Sequence, residues 1–284
     1  MKIGNQIGVP YDKLNKYLGL LETYTGAGIA LSLRRLTRDY AGPAITVRRA
    51  SDDETLDIGF TGDGDLDTTK LTAFSESGNV FVTDWYNQLD TRKLSQTTAA
   101  NQPQIVSSGT VITAGGQSKP AIRFTSSEAT FLEYSATASF SNDWYFVSAV
   151  ESNQANGTTG SLVNGADANN RVRILGGGGT NAALSVRISG GSALGANSIW
   201  TSGTGQIYSI ARDGSDEVKQ FINAASGASA TGTKGGAWPV FHRVGANHNG
   251  GVALNSDVQE IIIWDSNQAS RIAIETNLKN YYIG

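Results

Sequence analysis

Polar and apolar residues alternate in short runs along most of this chain, and that period of two predicts strands. The runs are Ala44–Arg48, Leu56–Phe60, Val80–Trp85, Pro103–Val106, Ala121–Phe124, Phe131–Tyr134, Trp144–Glu151, Ser161–Val163, Arg171–Leu175, Ala183–Ile188, Gln206–Arg212, Glu217–Ile222, Phe241–Val244 and Val258–Trp264. Glycine or asparagine punctuates them, as turns between antiparallel strands require. Elsewhere the period lengthens to that of a helix. Leu14, Tyr17, Leu18 and Leu21 recur at helical spacing after Pro10, itself suited to a first turn. Ile29, Leu33 and Leu36 predict a helix over Ile29–Thr37, and Ile272, Ile274, Leu278 and Tyr281 predict one over Ala269–Tyr282. Asp67 precedes Thr68–Phe74 and is placed to cap a short helix. The expectation is an all-β antiparallel sandwich of jelly-roll type with a few peripheral helices. Residues 26–284 would form that sandwich, and residues 1–25 a separate segment. That segment would either cap its own sandwich or dock on a larger assembly through Leu14, Tyr17, Leu18 and Leu21.

Composition narrows the chemistry. With 284 residues the chain can bury a core without staples, and its 34 glycines against 5 prolines suit turns better than a linker. The absence of cysteine removes disulfides, thiolate metal sites and a cysteine nucleophile. A net charge of -3 with no extended basic cluster argues against nucleic acid as a partner. No run approaches the ~18 apolar residues of a membrane span, so membrane insertion is not expected. Met1–Pro10 lacks the apolar core of a secretory signal, so extracellular work would need another route, such as host lysis by a virus.

A resemblance sharpens the fold. Ile29–Leu36, Gly42–Arg49, Asp57–Phe60, Phe81–Gln88, Gln102–Val106, Lys119–Phe124, Tyr208–Gly214 and Val258–Trp264 follow one another as in a known domain type. That order resembles the concanavalin A-like, laminin-G-like domain related to the catalytic domain of α-L-arabinofuranosidase B, of the kind found in phage structural proteins. The resemblance implies a sandwich from about residue 29 onward. In its enzymes two carboxylates cleave the glycosidic bond. The acid belongs in a Gly-Gly-Asp-Asn segment, which matches Gly245-Ala246-Asn247-His248 here, so an amide stands where a proton donor is needed. The nucleophile belongs in the middle strands, yet Arg171–Gly191 holds no Asp or Glu, and the enzymes' paired cysteines are missing.

Other patterns carry weaker chemistry. The two histidines, His242 and His248, adjoin no nucleophile elbow, although His248 is placed to reach a ligand from a loop. Asp63-Gly-Asp-Leu-Asp67 allows a structural calcium, against the plainer reading of a turn and a helix cap. No cofactor is otherwise expected. Sugar binding needs an exposed aromatic face with amides around it. Trp238 and Trp200, with Asn247, His248 and Asn249, are the candidates, Tyr134 a further aromatic, and Trp85, Trp144 and Trp264 are assigned to the core. The functional expectation is therefore a non-catalytic, lectin-like module displayed on a phage virion. Its partners would be other virion proteins through the N-terminal segment, a cell-surface glycan, and further copies of itself if it oligomerises. The alternatives are an arabinofuranosidase-type hydrolase drawing on Asp213, Asp257 and Glu260, and a purely architectural virion protein.

Overall fold

The computed structural model describes residues 19–138, 140, 143–155, 158–167, 170–175, 181–187, 194–228, 230–233 and 241–284. Among the described residues the main strands form two antiparallel layers facing each other, and Thr113–Ala114 pairs separately with Lys119–Pro120. In the back sheet, Ser256–Trp264 pairs with Trp144–Ser152 along its length. Its other edge is shared end to end by Ala27–Ser32 and Ile122–Phe124. Beyond Trp144–Ser152 follow Gly205–Arg212, Glu217–Ile222 and Ala230–Thr233. The front sheet runs from Thr55–Ile58 through Ile45–Arg49 to Val80–Tyr86, whose free edge takes both Lys93–Ser95 and Gln104–Ser107. It continues through Leu132–Ala138, Phe241–Val244, Thr159–Asn164, Arg171–Leu175 and Asn181–Arg187 to Leu194–Thr201. The pairing of Arg123 with Gln104 ties the two sheets together.

The middle of the back sheet is buried on both faces, which explains its sequences. Trp144, Phe146, Ile261 and Ile263 point between the sheets. Tyr145, Val147, Ile262 and Trp264 point the other way, into a second core closed by Ile274, Leu278 and Tyr282 of the Arg271–Tyr282 helix. A strand covered on both sides reads as an unbroken apolar run, hence Ile261-Ile-Ile-Trp264. Trp85, Trp144 and Trp264 are core residues, as expected. Tyr134, a sugar-stacking candidate, is not available for that role: it is buried, its ring 5.3 Å from that of Phe241.

The helix predicted over Ile29–Thr37 is instead a strand, Ala27–Ser32, followed by irregular chain. Ile29, Leu31 and Leu33 face the inter-sheet core while Ala30 faces the helix layer. Two-sided burial made consecutive positions apolar and imitated a helical stripe. Pairing of Ile29 with Ile263 and Leu31 with Ile261 decides the matter through partners more than two hundred residues away. The cap at Asp67 is present, its Oδ1 accepting from the Lys70 amide at 3.0 Å. At the N-terminal end a helix covers Leu20–Thr23. Leu20 and Leu21 are only 5% and 6% exposed, the Leu21 amide donates to the Leu36 carbonyl at 3.0 Å, and Trp264 Nε1 donates to the Tyr24 carbonyl at 3.0 Å. Leu21, expected on a docking surface, therefore lies in the second core. Leu14, Tyr17 and Leu18 lie outside the described residues.

Candidate functional site

One face of the front sheet belongs to the inter-sheet core, so strand alternation sends the intervening residues outward. The inward ladder steps from Ile45 to Trp85, Leu94 and Tyr134, and then from Leu132 to Val244, Val163, Val172 and Val186. Shifted by one residue, the same pairings give an outward row: Asp57, Thr46, Asp84, Ser95, Glu133, Arg243, Asn164, Arg171 and Arg187. Nine strands thus contribute one polar residue each to a continuous track. Its carboxylates occupy one half and its arginines the other.

Hydrogen bonds fix the acidic half. Thr46 Oγ1 donates to Asp57 at 2.6 Å, and Ser95 Oγ donates to Asp84 at 2.6 Å, where Lys93 Nζ also arrives at 2.9 Å. At the centre Arg243 Nε donates to Glu133 at 2.9 Å, and its guanidinium lies 4.1 Å from the Phe131 ring centre. His242 Nε2 stands 3.6 Å from the same Glu133 oxygen. Burial lowers the His242 pKa, and Arg243 pushes it the same way against the opposing pull of Glu133. The basic half gathers Arg171, Arg173 and Arg187. Burial first, then repulsion from its neighbours, holds the Arg171 and Arg173 guanidiniums below their ordinary pKa.

A loop stands over the middle of the track. Arg243 Nη1 donates to the Asn247 carbonyl at 2.7 Å, while the Asn247 side chain accepts from the Val252 amide at 3.1 Å. Asn247 is accordingly buried, and its amide serves to close the turn. His248 is half-buried, with an Nδ1 that finds no partner among the described residues. Asn249 is exposed at the tip. Trp200 lies on Leu194–Thr201, at the far edge of the same sheet beyond the arginines. Trp238 lies outside the described residues.

Neither a protein-family model nor a curated protein sequence matches the chain. Solved structures do. An arabinofuranosidase complexed with arabinofuranosyl-α-1,2-xylobiose is similar at a TM-score of 0.73, with 14% identity over 93% of this chain and 65% of that one. A point mutant of a GH54 α-L-arabinofuranosidase, soaked with 4-nitrophenyl α-L-arabinofuranoside, gives 0.71 at 13% identity over 91% and 63%. The fold is a concanavalin A-like jelly roll. The chain spans less than two thirds of the length of either relative.

Within this jelly roll the carboxylates suggested as a rearranged catalytic pair are dispersed. Glu260 is fully buried under the helix layer, held by Arg34 Nε at 2.8 Å, Ser32 Oγ at 2.6 Å and the Tyr282 hydroxyl at 2.9 Å. Asp257 takes both arms of Arg123, at 2.8 and 2.7 Å. Asp213 shapes a turn by accepting from the Ser215 and Glu217 amides. None of the three lies on the outward track. In the calcium candidate, Asp65 bonds Lys119 and Tyr281 and Asp67 caps its helix; no group of three metal-type side chains occurs among the described residues. Sequence reading missed Glu133, Arg243, Arg171, Arg173 and Arg187. Their signal was present in the alternation of Arg171-Val-Arg-Ile174, but it marks an outward face and not a partner.

Proposed function

We propose that this jelly roll is a non-catalytic glycan-binding module, and that it takes sugar on the outward track of the front sheet beneath the Asn247–Asn249 loop. The observation that carries the reading is the state of Asn247. The position matched to the enzymes' acid holds an amide, and that amide is committed to the Val252 backbone. The nearest carboxylates are committed too, Glu133 to Arg243 and Asp84 to Ser95 and Lys93. A track so tied can offer hydrogen bonds to hydroxyls, while the amide at the position matched to the acid has no proton to give a leaving group. The solved arabinofuranosidases make arabinose-containing polymers the first ligands to try. Display on a viral particle, with the amphipathic Leu14, Tyr17 and Leu18 as tether, is part of the same proposal and rests on their helical spacing.

The test is incubation of the full chain with plant, algal and bacterial polysaccharides, scoring retained protein and released sugar together. Retention without release is expected, weakened at least several-fold in a His248→Ala, Asn249→Ala double variant. Released sugar would overturn the non-catalytic reading.

A further inference from the structure

Resting on the glycan-binding reading above, we infer that the ligand of the front face is a polysaccharide bearing oxyanion groups, carboxylate or sulfate, seated against Arg171, Arg173 and Arg187. The sheet register itself makes the cluster. Arg171 stands directly opposite Arg187 on neighbouring strands, and Arg173, two residues along the same face, stands opposite Ser185. Like charges placed directly across an antiparallel pair disfavour the sheet. A chain of net charge -3 nevertheless brings three guanidiniums together here, half-buried, beside the buried hydroxyls of Ser161 and Ser185.

Within the cluster Arg173 is left with a donor to spend. Glu133, the carboxylate of the track nearest the basic half, is taken by Arg243. Arg173 has no carboxylate partner among the described residues, and its Nε is buried with no hydrogen-bond partner. The free protein therefore holds a donor group turned away from water and a repulsion that an incoming anion would relieve. Guanidinium forks match carboxylate and sulfate through paired, charge-assisted hydrogen bonds, which neutral sugars cannot supply.

Retention of the full chain would be measured on immobilised polygalacturonate, dextran sulfate, and neutral arabinan and dextran. Binding to a charged polymer is expected, with salt weakening it. Arg173→Gln should cut affinity about tenfold or more, the range for a lost charge-assisted bond. Arg38→Gln, the same charge change at an exposed position beside the Leu20–Thr23 helix, should leave it unchanged. The ligand-free Arg173→Gln protein should melt no lower than the parent, since it loses a repulsion; a lower melting point would mark the arginine as structural and count against the inference. Polygalacturonate alone retaining the protein identifies a uronate, and dextran sulfate alone a sulfated glycan. Equal retention on neutral arabinan, or retention indifferent to Arg173→Gln, overturns the anionic ligand and leaves glycan binding standing. Equal losses in Arg173→Gln and Arg38→Gln would show plain ion exchange and overturn it as well. Retention on no polymer would overturn the glycan-binding reading itself.

Discussion

Glu260 shows what a carboxylate costs inside this sandwich and what holds it there. Both of its oxygens are occupied, one by Arg34 Nη2 at 3.0 Å and the other by Arg34 Nε, Ser32 and Tyr282. Arg34 in turn reaches Asn277 at 2.8 Å and lies 4.7 Å from the Tyr281 ring centre. Removing one charge from such a group leaves the other desolvated without compensation, typically about 3–5 kcal/mol. Glu260→Gln should lower the denaturant midpoint correspondingly while leaving polysaccharide retention of the folded fraction intact. Loss of retention at full stability would instead return Glu260 to the functional site. His242 offers a subtler check. Its folded pKa lies below the ordinary 6.5 because burial and Arg243 disfavour its charged form. Below pH 6.5 the unfolded chain therefore binds the proton first, so stability contributed by the neutral ring is complete above that pH and declines as pH falls towards the folded value. His242→Gln should flatten that part of the melting-temperature profile against pH. An unchanged slope would mean that the ring takes up its proton in the folded state as readily as in the unfolded one.

At the scale of elements, what was legible in the sequence depended on whether one face or two were buried. Val80–Tyr86 and Arg171–Leu175, covered on one side, alternate plainly and were predicted almost to the residue. Ala27–Ser32 sits between the inter-sheet core and the helix layer, so its apolar positions lose the period of two and imitate a helical stripe. Leu194–Thr201 was missed for another reason: Gly195 and Asn197 look like turn residues when the pairing partner is unknown. The candidate site divides in the same way. The Asn247–Asn249 loop could be found because a local motif marks it. The track could not, because Asp84, Glu133, Arg243 and Arg187 are brought into one row only through register across seven connected strands. Local spacing identifies outward positions, and only the long-range ladder says which of them meet.

For the whole molecule, the N-terminal boundary decides how the tether can be tested. A boundary at residue 25 would place Leu20, Leu21 and Tyr24 with the tether, yet the first two fill the core between the back sheet and the Arg271–Tyr282 helix, and the third accepts the Trp264 indole. Cutting there removes two buried leucines, each worth about 2–5 kcal/mol when truncated to alanine in a core. A domain of this kind has only about 5–15 kcal/mol in hand. Deletion of residues 1–25 should therefore leave the sandwich unfolded or deeply destabilised, and a failure to assemble on a particle would then say nothing about docking. Deletion of residues 1–18 spares every one of those contacts. On the tether reading this shorter deletion melts with the full chain, keeps polysaccharide retention, and loses only attachment to its larger partner. Should it instead melt far lower, residues 1–18 would belong to the fold, and the particle contact would have to be sought on the exposed edges of the sheets.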